Sequence, residues 1–501
     1  MKKTVLIFII VSIFAKLVAF GRELVLAYYY GAGQTSDVFL LSMTLPVTIF
    51  GFVAVGVTSG FIPIYQRAKI EKGKETAERF TNNVINILVI LSIVIIAIYL
   101  MIPKLILGLF ANGFDDTTLE MARVFTNISI WVIILTAIVT VLTGYLQIND
   151  RIKITALISV PLNIGLIVTI VIAATIGNIY ILPIGFLLSS ISQVVFAVIC
   201  SARVGFRYSL TVKFKDEYVK NFFYSLALLV LSGSLQQINV LIDRTLATTV
   251  TVGGLSVFEY GNRISDFVMG LTIVPISSAI FPMMAKAKED SSELKKTLEE
   301  GIRLSSVIII PAAVLLVVYA DVIVRIMYFR GAFSETHVSL TTDIVRFYGV
   351  GLFAFSLREM ILKCFYAIGD IKSPLINSSI GVACNIILNF LLLRIYGVGG
   401  LALATSIAAL VSVVLLYISL RRRHKDIIIG RTILRSIGLG IVSMMVGYAS
   451  LILYKFMKTV VGKEIIVFII VAIAFFIVYM GFAVVTGMIN KNDIKTIVRR
   501  R

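Results

Sequence analysis

Residues 39–66 read FLLSMTLPVTIFGFVAVGVTSGFIPIYQ, and residues 258–286 read FEYGNRISDFVMGLTIVPISSAIFPMMAK. Each runs 24 residues from its first Phe to a late Pro, Phe39 to Pro63 and Phe258 to Pro282, and the two Phe stand 219 residues apart. Each is long and apolar enough to cross a hydrocarbon layer about 30 Å thick as a helix. A fixed offset between two such segments points to duplication of a larger membrane unit. Further echoes keep the order. Tyr145 precedes NDRIK and Tyr366 precedes GDIK, an offset of 221, and Asn163 and Asn385 follow in nearly the same register. Arg22 lies nine residues before Gly31, as Arg244 lies nine before Gly253.

Working outward, 59% of the 501 residues are hydrophobic, against about 45–50% in a soluble domain. The chain reads as an all-α polytopic membrane protein with about fourteen spans. Their expected limits are 4–28, 37–63, 81–102, 124–148, 155–175, 180–202, 221–248, 255–285, 304–325, 340–367, 374–395, 398–421, 432–456 and 463–488. The short alternating segments of a β-barrel are not seen. The repeat covers six spans, an even number, so both copies keep one orientation about an axis along the membrane normal. The expected division is a six-helix lobe over 1–215, a second over 216–428, and two additional helices with a cytoplasmic tail over 429–501. Two lobes facing a cavity imply alternating access.

The net charge is +19. Its placement argues for topology rather than a nucleic-acid partner. Basic residues crowd alternate loops: Arg67, Lys69, Lys72, Lys74 and Arg79; Arg203, Arg207, Lys213, Lys215 and Lys220; Lys286 to Arg303; Arg421–Arg423; and Arg499–Arg501. That asymmetry puts both termini of a multi-pass membrane protein in the cytoplasm. The opening Met-Lys-Lys reads as the start of a retained first helix, because the apolar run holds Lys16 and Arg22 and lacks a small-residue cleavage site. Cys200, Cys364 and Cys384 form no CxxC pattern, His337 and His424 lie far apart, and no Walker, HExxH or GxSxG motif occurs. The residues give no support to an enzyme or to ATP as energy source.

Charges inside spans cost about 2.5–3.5 kcal/mol each at a helix centre, so they turn to a bundle interior or a watery cavity. They gather on few helices: Lys16, Arg22 and Glu23 on the first; Asp37 opening the second; Asp243 and Arg244 on the seventh; Glu259, Arg263 and Asp266 on the eighth; and Asp343, Arg346, Arg358, Glu359 and Lys363 on the tenth. Arg263 with Asp266, Lys16 with Glu23, and Glu359 with Lys363 share helix faces and are spaced to pair. On the tenth span, near its expected ends, such pairs are read as helix packing. On spans one, two and eight they are read as the wall of a cavity. Arg22, Arg263 and Lys16 there suit an anion, since a guanidinium fork matches phosphate oxygens. Glu23, Asp37 and Asp266 hold the cations in the empty site or close an outer gate.

The stretch GRELVLAYYYGAGQTSDVFLLSMTLP (21–46) followed by FIPIY (61–65), and YGNRISDFVMGLTIVPISSAIFPMMAK (260–286), resemble the MurJ (MviN) lipid II flippases of the MOP superfamily. The resemblance extends over essentially the whole chain. It implies that Arg22 and Arg263 hold a diphosphate-sugar headgroup, that Glu23, Asp37 and Asp266 match family acids, and that the last two spans form a groove for a polyprenyl tail. The cargo would be lipid II, moved by membrane potential or a cation gradient without a cofactor, beside membrane lipids and possible wall-synthesis partners. Lys16 stands where relatives often have Arg, Asn262 where many have Asp, and Ile49–Val55 lacks a basic residue expected in span two. A flippase for another polyprenyl-diphosphate saccharide, of a capsule or O-antigen, therefore stays open. A cation-coupled multidrug exporter fits less well, because it would want an acid-rich cavity. A lipid-processing enzyme would need a metal-spaced cluster, and a scaffold would tolerate loss of the cavity charges. Some relatives carry a sodium site, whose matching positions are Asp243, Asn385, Asn389 and Thr405 with a carbonyl near Leu401. Asn389 replaces an acid there. These are oxygen donors suited to a hard cation, and polar helix contacts account for them equally well.

Overall fold

The computed structural model describes residues 2–488; the side chains of 2–6, 9, 55, 56, 58, 59 and 227–236 lie outside the description, as does the basic tail Arg499–Arg501. The described residues form helices and no strand. In order these are α1 (Lys2–Tyr30), α2 (Gln34–Met101), α3 (Pro103–Phe110), α4 (Asp116–Ser129), α5 (Val132–Ile148), α6 (Ile152–Leu157), α7 (Ser159–Ile176), α8 (Ile181–Ala202) and α9 (Glu217–Thr248). There follow α10 (Gly254–Lys286), α11 (Ser291–Val318), α12 (Ala320–Tyr328), α13 (Glu335–Ile368), α14 (Lys372–Tyr396), α15 (Gly399–Arg423), α16 (Gly430–Val461) and α17 (Glu464–Val485).

Among the described residues, 11 helices are long and apolar enough to cross a membrane, and up to 12 if α4 and α5, bent by 45° at their junction, make one span. That is fewer than the fourteen expected. Helices α1 and α9, 29 and 32 residues long, have the length but lie outside that count. Both include residues whose side chains lie outside the description, and the count covers described residues only. The basic loop expected between spans two and three is helical instead. Arg67–Glu71 at 2.7 Å, Arg79–Glu75 at 2.5 Å and Lys74–Glu78 at 3.4 Å are i,i+4 pairs that carry the helix beyond the apolar run. The chain breaks between them only at Gly73, whose φ of 85° suits glycine.

The helices gather into two compact units, one of residues up to Ser256 with Arg330–Phe333, the other of Val257–Phe329 and the residues from Ser334 onward. In the first unit an aromatic chain forms the core: Tyr65 on Tyr145 (5.9 Å between centroids), Phe61 on Phe80 (5.6 Å) and Phe80 on Phe222 (6.0 Å). In the second, Ile280, Leu298, Leu357, Met360, Phe365 and Leu416 pack α10, α11, α13 and α15 together. Helices α16 and α17 join α11 through hydroxyls, Ser436 to Ser306 at 2.9 Å and Tyr479 to the Val307 carbonyl at 3.0 Å. Hydroxyl contacts of this kind hold helices together where lipid offers no hydrophobic drive. Ile452, Phe456 and Ile477 of these two helices remain exposed, as lipid-facing residues do.

The repeat is visible in detail. Each unit has a short helix, α3 or α12, followed by a helix capped by its preceding side chain. Asp115 accepts from the Thr118 amide, and Ser334, 219 residues later, accepts from the His337 amide, both at 3.4 Å.

Candidate substrate and gating site

Asp37 sits in the first turn of α2, just after Gly33. It is 1% exposed. Its carboxylate accepts from the backbone amides of Gly253 (2.8 Å) and Ser256 (2.7 Å) and from the Ser256 hydroxyl. The first amides of a helix have no partner within it, and they carry the positive end of its dipole. Asp37 therefore caps α10 from another part of the chain. Ser256 lies 219 residues after Asp37, so the acid grips its own counterpart in the repeat. Gly253 makes the approach possible: its φ is +83°, and a Cβ there would stand 2.1 Å from the Ala32 carbonyl oxygen. Sequence reading marked Asp37 and missed Ser256, although the repeat offset was the signal that points to it.

Arg22 and Glu23 form an ion pair on α1, their side chains 13% and 2% exposed. Arg22 Nε is buried and, among the described residues, meets no hydrogen-bond acceptor. Lys16, two turns earlier, is half-buried. On α10 the Arg263 guanidinium lies 3.3 Å from Glu259, which is 1% exposed. An acid one turn N-terminal to a base is the favoured order on a helix; Asp266, one turn beyond Arg263, is exposed. On α9 Asp243 is buried, and Arg244 donates to Thr48 at 3.1 Å. On α13 Lys363 pairs with Glu359 at 3.4 Å, as the spacing predicts, and Arg346 with Asp343 at 3.3 Å.

Three of the four expected sodium ligands meet in the second unit. Thr405 donates to the Leu401 carbonyl (2.9 Å), Asn385 to Thr405 (3.1 Å) and Asn389 to Asn385 (3.1 Å). This relay links α14 to α15. Asp243, the fourth, belongs to the first unit. Among the described residues, no group of three or more His, Cys, Asp or Glu is placed to hold a metal ion.

Apolar helices with paired charges buried along them define a multi-pass membrane carrier. The family model described as "Lipid II flippase MurJ" matches residues 26–476. The chain belongs to that family, whose members are transporters rather than enzymes and act on a lipid-linked cargo. A probable lipid II flippase MurJ of Rickettsia prowazekii (strain Madrid E) is 27% identical over 418 residues, 82% of each chain. One of Thermotoga maritima is 25% identical over 422 residues, covering 84% of this chain and 85% of that one. The solved structure "Lipid II flippase MurJ, inward closed conformation" covers 95% of this chain and 98% of its own at 24% identity, with a TM-score of 0.79. An inward-facing multidrug resistance MATE family transporter of the MOP superfamily covers 82% and 94% at 17% identity, with a TM-score of 0.67. These two likenesses concern the fold.

Proposed function

We propose that this chain moves lipid II from the cytoplasmic to the outer leaflet of the bacterial inner membrane, with both termini in the cytoplasm. Two six-helix lobes, 1–215 and 216–428, alternate access to a cavity, and 429–501 adds the groove for the polyprenyl tail. Arg22, Lys16 and Arg263 receive the diphosphate. The observation that carries this reading is Arg22: a charged donor kept in a membrane helix, 13% exposed, with its Nε lacking an acceptor among the described residues. A diphosphate oxygen supplies such an acceptor. Glu23 and Glu259 hold the arginines while the site is empty, and Asp266 adds to that balance. Asp37 closes the outer gate.

An inside-negative potential of 100 mV is worth about 2.3 kcal/mol per charge, so two diphosphate charges moved outward gain roughly 4–5 kcal/mol. A cation resets the carrier, with sodium held by Asp243, Asn385, Asn389 and Thr405. Complementation of a strain depleted of its own lipid II flippase tests the reading. Rescue by the wild type and its loss with Arg22→Ala and Arg263→Ala, at equal protein levels, is the expected result. Rescue by both variants sinks the cationic cavity. Failure of the wild type to rescue points to another polyprenyl-diphosphate saccharide, the reading that the uncharged Ile49–Val55 favours.

A further inference from the structure

Residues 203–216 join α8 to α9 and belong to no helix or strand, yet every second carbonyl of their middle is held by an asparagine of α2. Asn82 donates to the Arg207 carbonyl (2.9 Å), Asn86 to those of Ser209 (3.2 Å) and Thr211 (2.9 Å), and Asn83 to that of Lys213 (2.9 Å). Lys213 returns its amide to Asn83 Oδ1 at 2.8 Å. Carbonyls that face one way at alternate residues belong to an extended chain, and there residues 208, 210, 212 and 214 share one face. The ends are pinned as well. Phe206 is buried against Tyr145 (5.3 Å between centroids), and the Tyr218 hydroxyl donates to Glu71 at 2.8 Å beneath Lys72.

The shared face is apolar and open: Tyr208 is 61% exposed, Leu210 82%, Val212 41% and Phe214 58%. Arg203, Arg207, Lys213, Lys215 and Lys220 are exposed around it. The strap leaves the end of α8, a candidate membrane span, so it emerges at the boundary between lipid and water. We propose that this strap is an interfacial anchor for anionic lipid. Leu210, Val212 and Phe214 enter the headgroup–acyl boundary of the adjoining leaflet, and Arg207, Lys213 and Lys215 bind lipid phosphates. Lipid is favoured over a soluble protein by the excess of positive charge around the face and by continuity with a membrane-spanning helix. The asparagine clamp has already ordered the chain, so docking costs little conformational entropy. The inference rests on the membrane placement alone and holds whichever saccharide lipid is carried.

The test uses the full chain with its single tryptophan moved, Trp131→Phe with Leu210→Trp, in vesicles of phosphatidylcholine or of phosphatidylcholine and phosphatidylglycerol at three to one. The tryptophan at 210 should be quenched by brominated lipid and shielded from iodide, more strongly in the anionic vesicles. The triple change Arg207→Glu, Lys213→Glu and Lys215→Glu should abolish the added effect of phosphatidylglycerol and lower the bromolipid quenching several-fold. A tryptophan open to iodide and untouched by bromolipid in both vesicles overturns the proposal and leaves the face to water or a soluble partner. Val212→Trp repeats the measurement should Leu210→Trp fail to assemble.

Discussion

Replacing Asp37 by alanine removes one carboxylate and strands two backbone amides and a hydroxyl. Losing an exposed helix cap costs about 0.5–2 kcal/mol. Here the acceptor is charged and 1% exposed, and hydrogen bonds to charged groups contribute about 1.5–3 kcal/mol. A cost of about 3 kcal/mol follows, roughly a hundredfold in an equilibrium constant. A contact closed about 99% of the time would then be closed about half of it. Ala32, 1% exposed and pressed on Gly253, reports the change. In a chain with Cys200, Cys364 and Cys384 replaced by alanine, the thiol of Ala32→Cys is protected from a membrane-impermeant maleimide while the contact holds. Asp37→Ala should speed its modification at least about tenfold, towards the rate of an exposed Val252→Cys control. Asp37→Asn should fall between, because an amide offers one acceptor and turns its own donors on the remaining N–H. An unchanged rate in Asp37→Ala, in protein that melts at the wild-type temperature in detergent, would refute the gate.

Other consequences are as direct. Gly253→Ala meets both an unfavourable φ and the Ala32 oxygen, so it should cost more than the roughly 1–3 kcal/mol of a strained residue and lower thermal stability in detergent. Asn83→Ala with Asn86→Ala removes most of the clamp on 207–213, at about 1 kcal/mol net per bond lost, and should make trypsin cut at Arg207 and Lys213 many times faster. Asp370 lies in the loop before α14; burial pushes its carboxyl up, but hydrogen bonds from Ser373 and the Arg423 guanidinium at 3.2 Å hold it below the usual range. Its contribution is therefore full above the unfolded carboxylate pKa and lost as pH falls through the lower folded value, so Asp370→Asn should flatten the melting profile between about pH 5 and 3. Asn389→Asp should increase stabilisation by sodium over potassium in a thermal-shift measurement; no sodium effect in either form would remove the ion site from the mechanism.

Much was legible beforehand because it depends on pattern. Apolar runs, the 219-residue offset, and the i,i+4 spacing of Glu359 and Lys363 are properties of order along the chain. Lys16, Arg22 and Glu23 on α1 and Asp243 and Arg244 on α9 were marked in the same way, as charges inside apolar runs. The asparagines at 82, 83 and 86 gave no such signal. Three amides near a basic run look like ordinary solvated residues until a segment more than a hundred positions away is laid against them.

The sequence by itself thus determined an all-helical membrane chain, its duplication and the residues that carry charge into lipid, since hydrophobic transfer and helical period act locally. Partnership was decided by tertiary structure alone. Ser256 and Gly253 in the grip of Asp37, and the relay from Asn389 to Leu401, follow from how close and at what angle helices pack. A hydrogen bond is made or lost over a few tenths of an ångström, a scale that periodicity does not resolve.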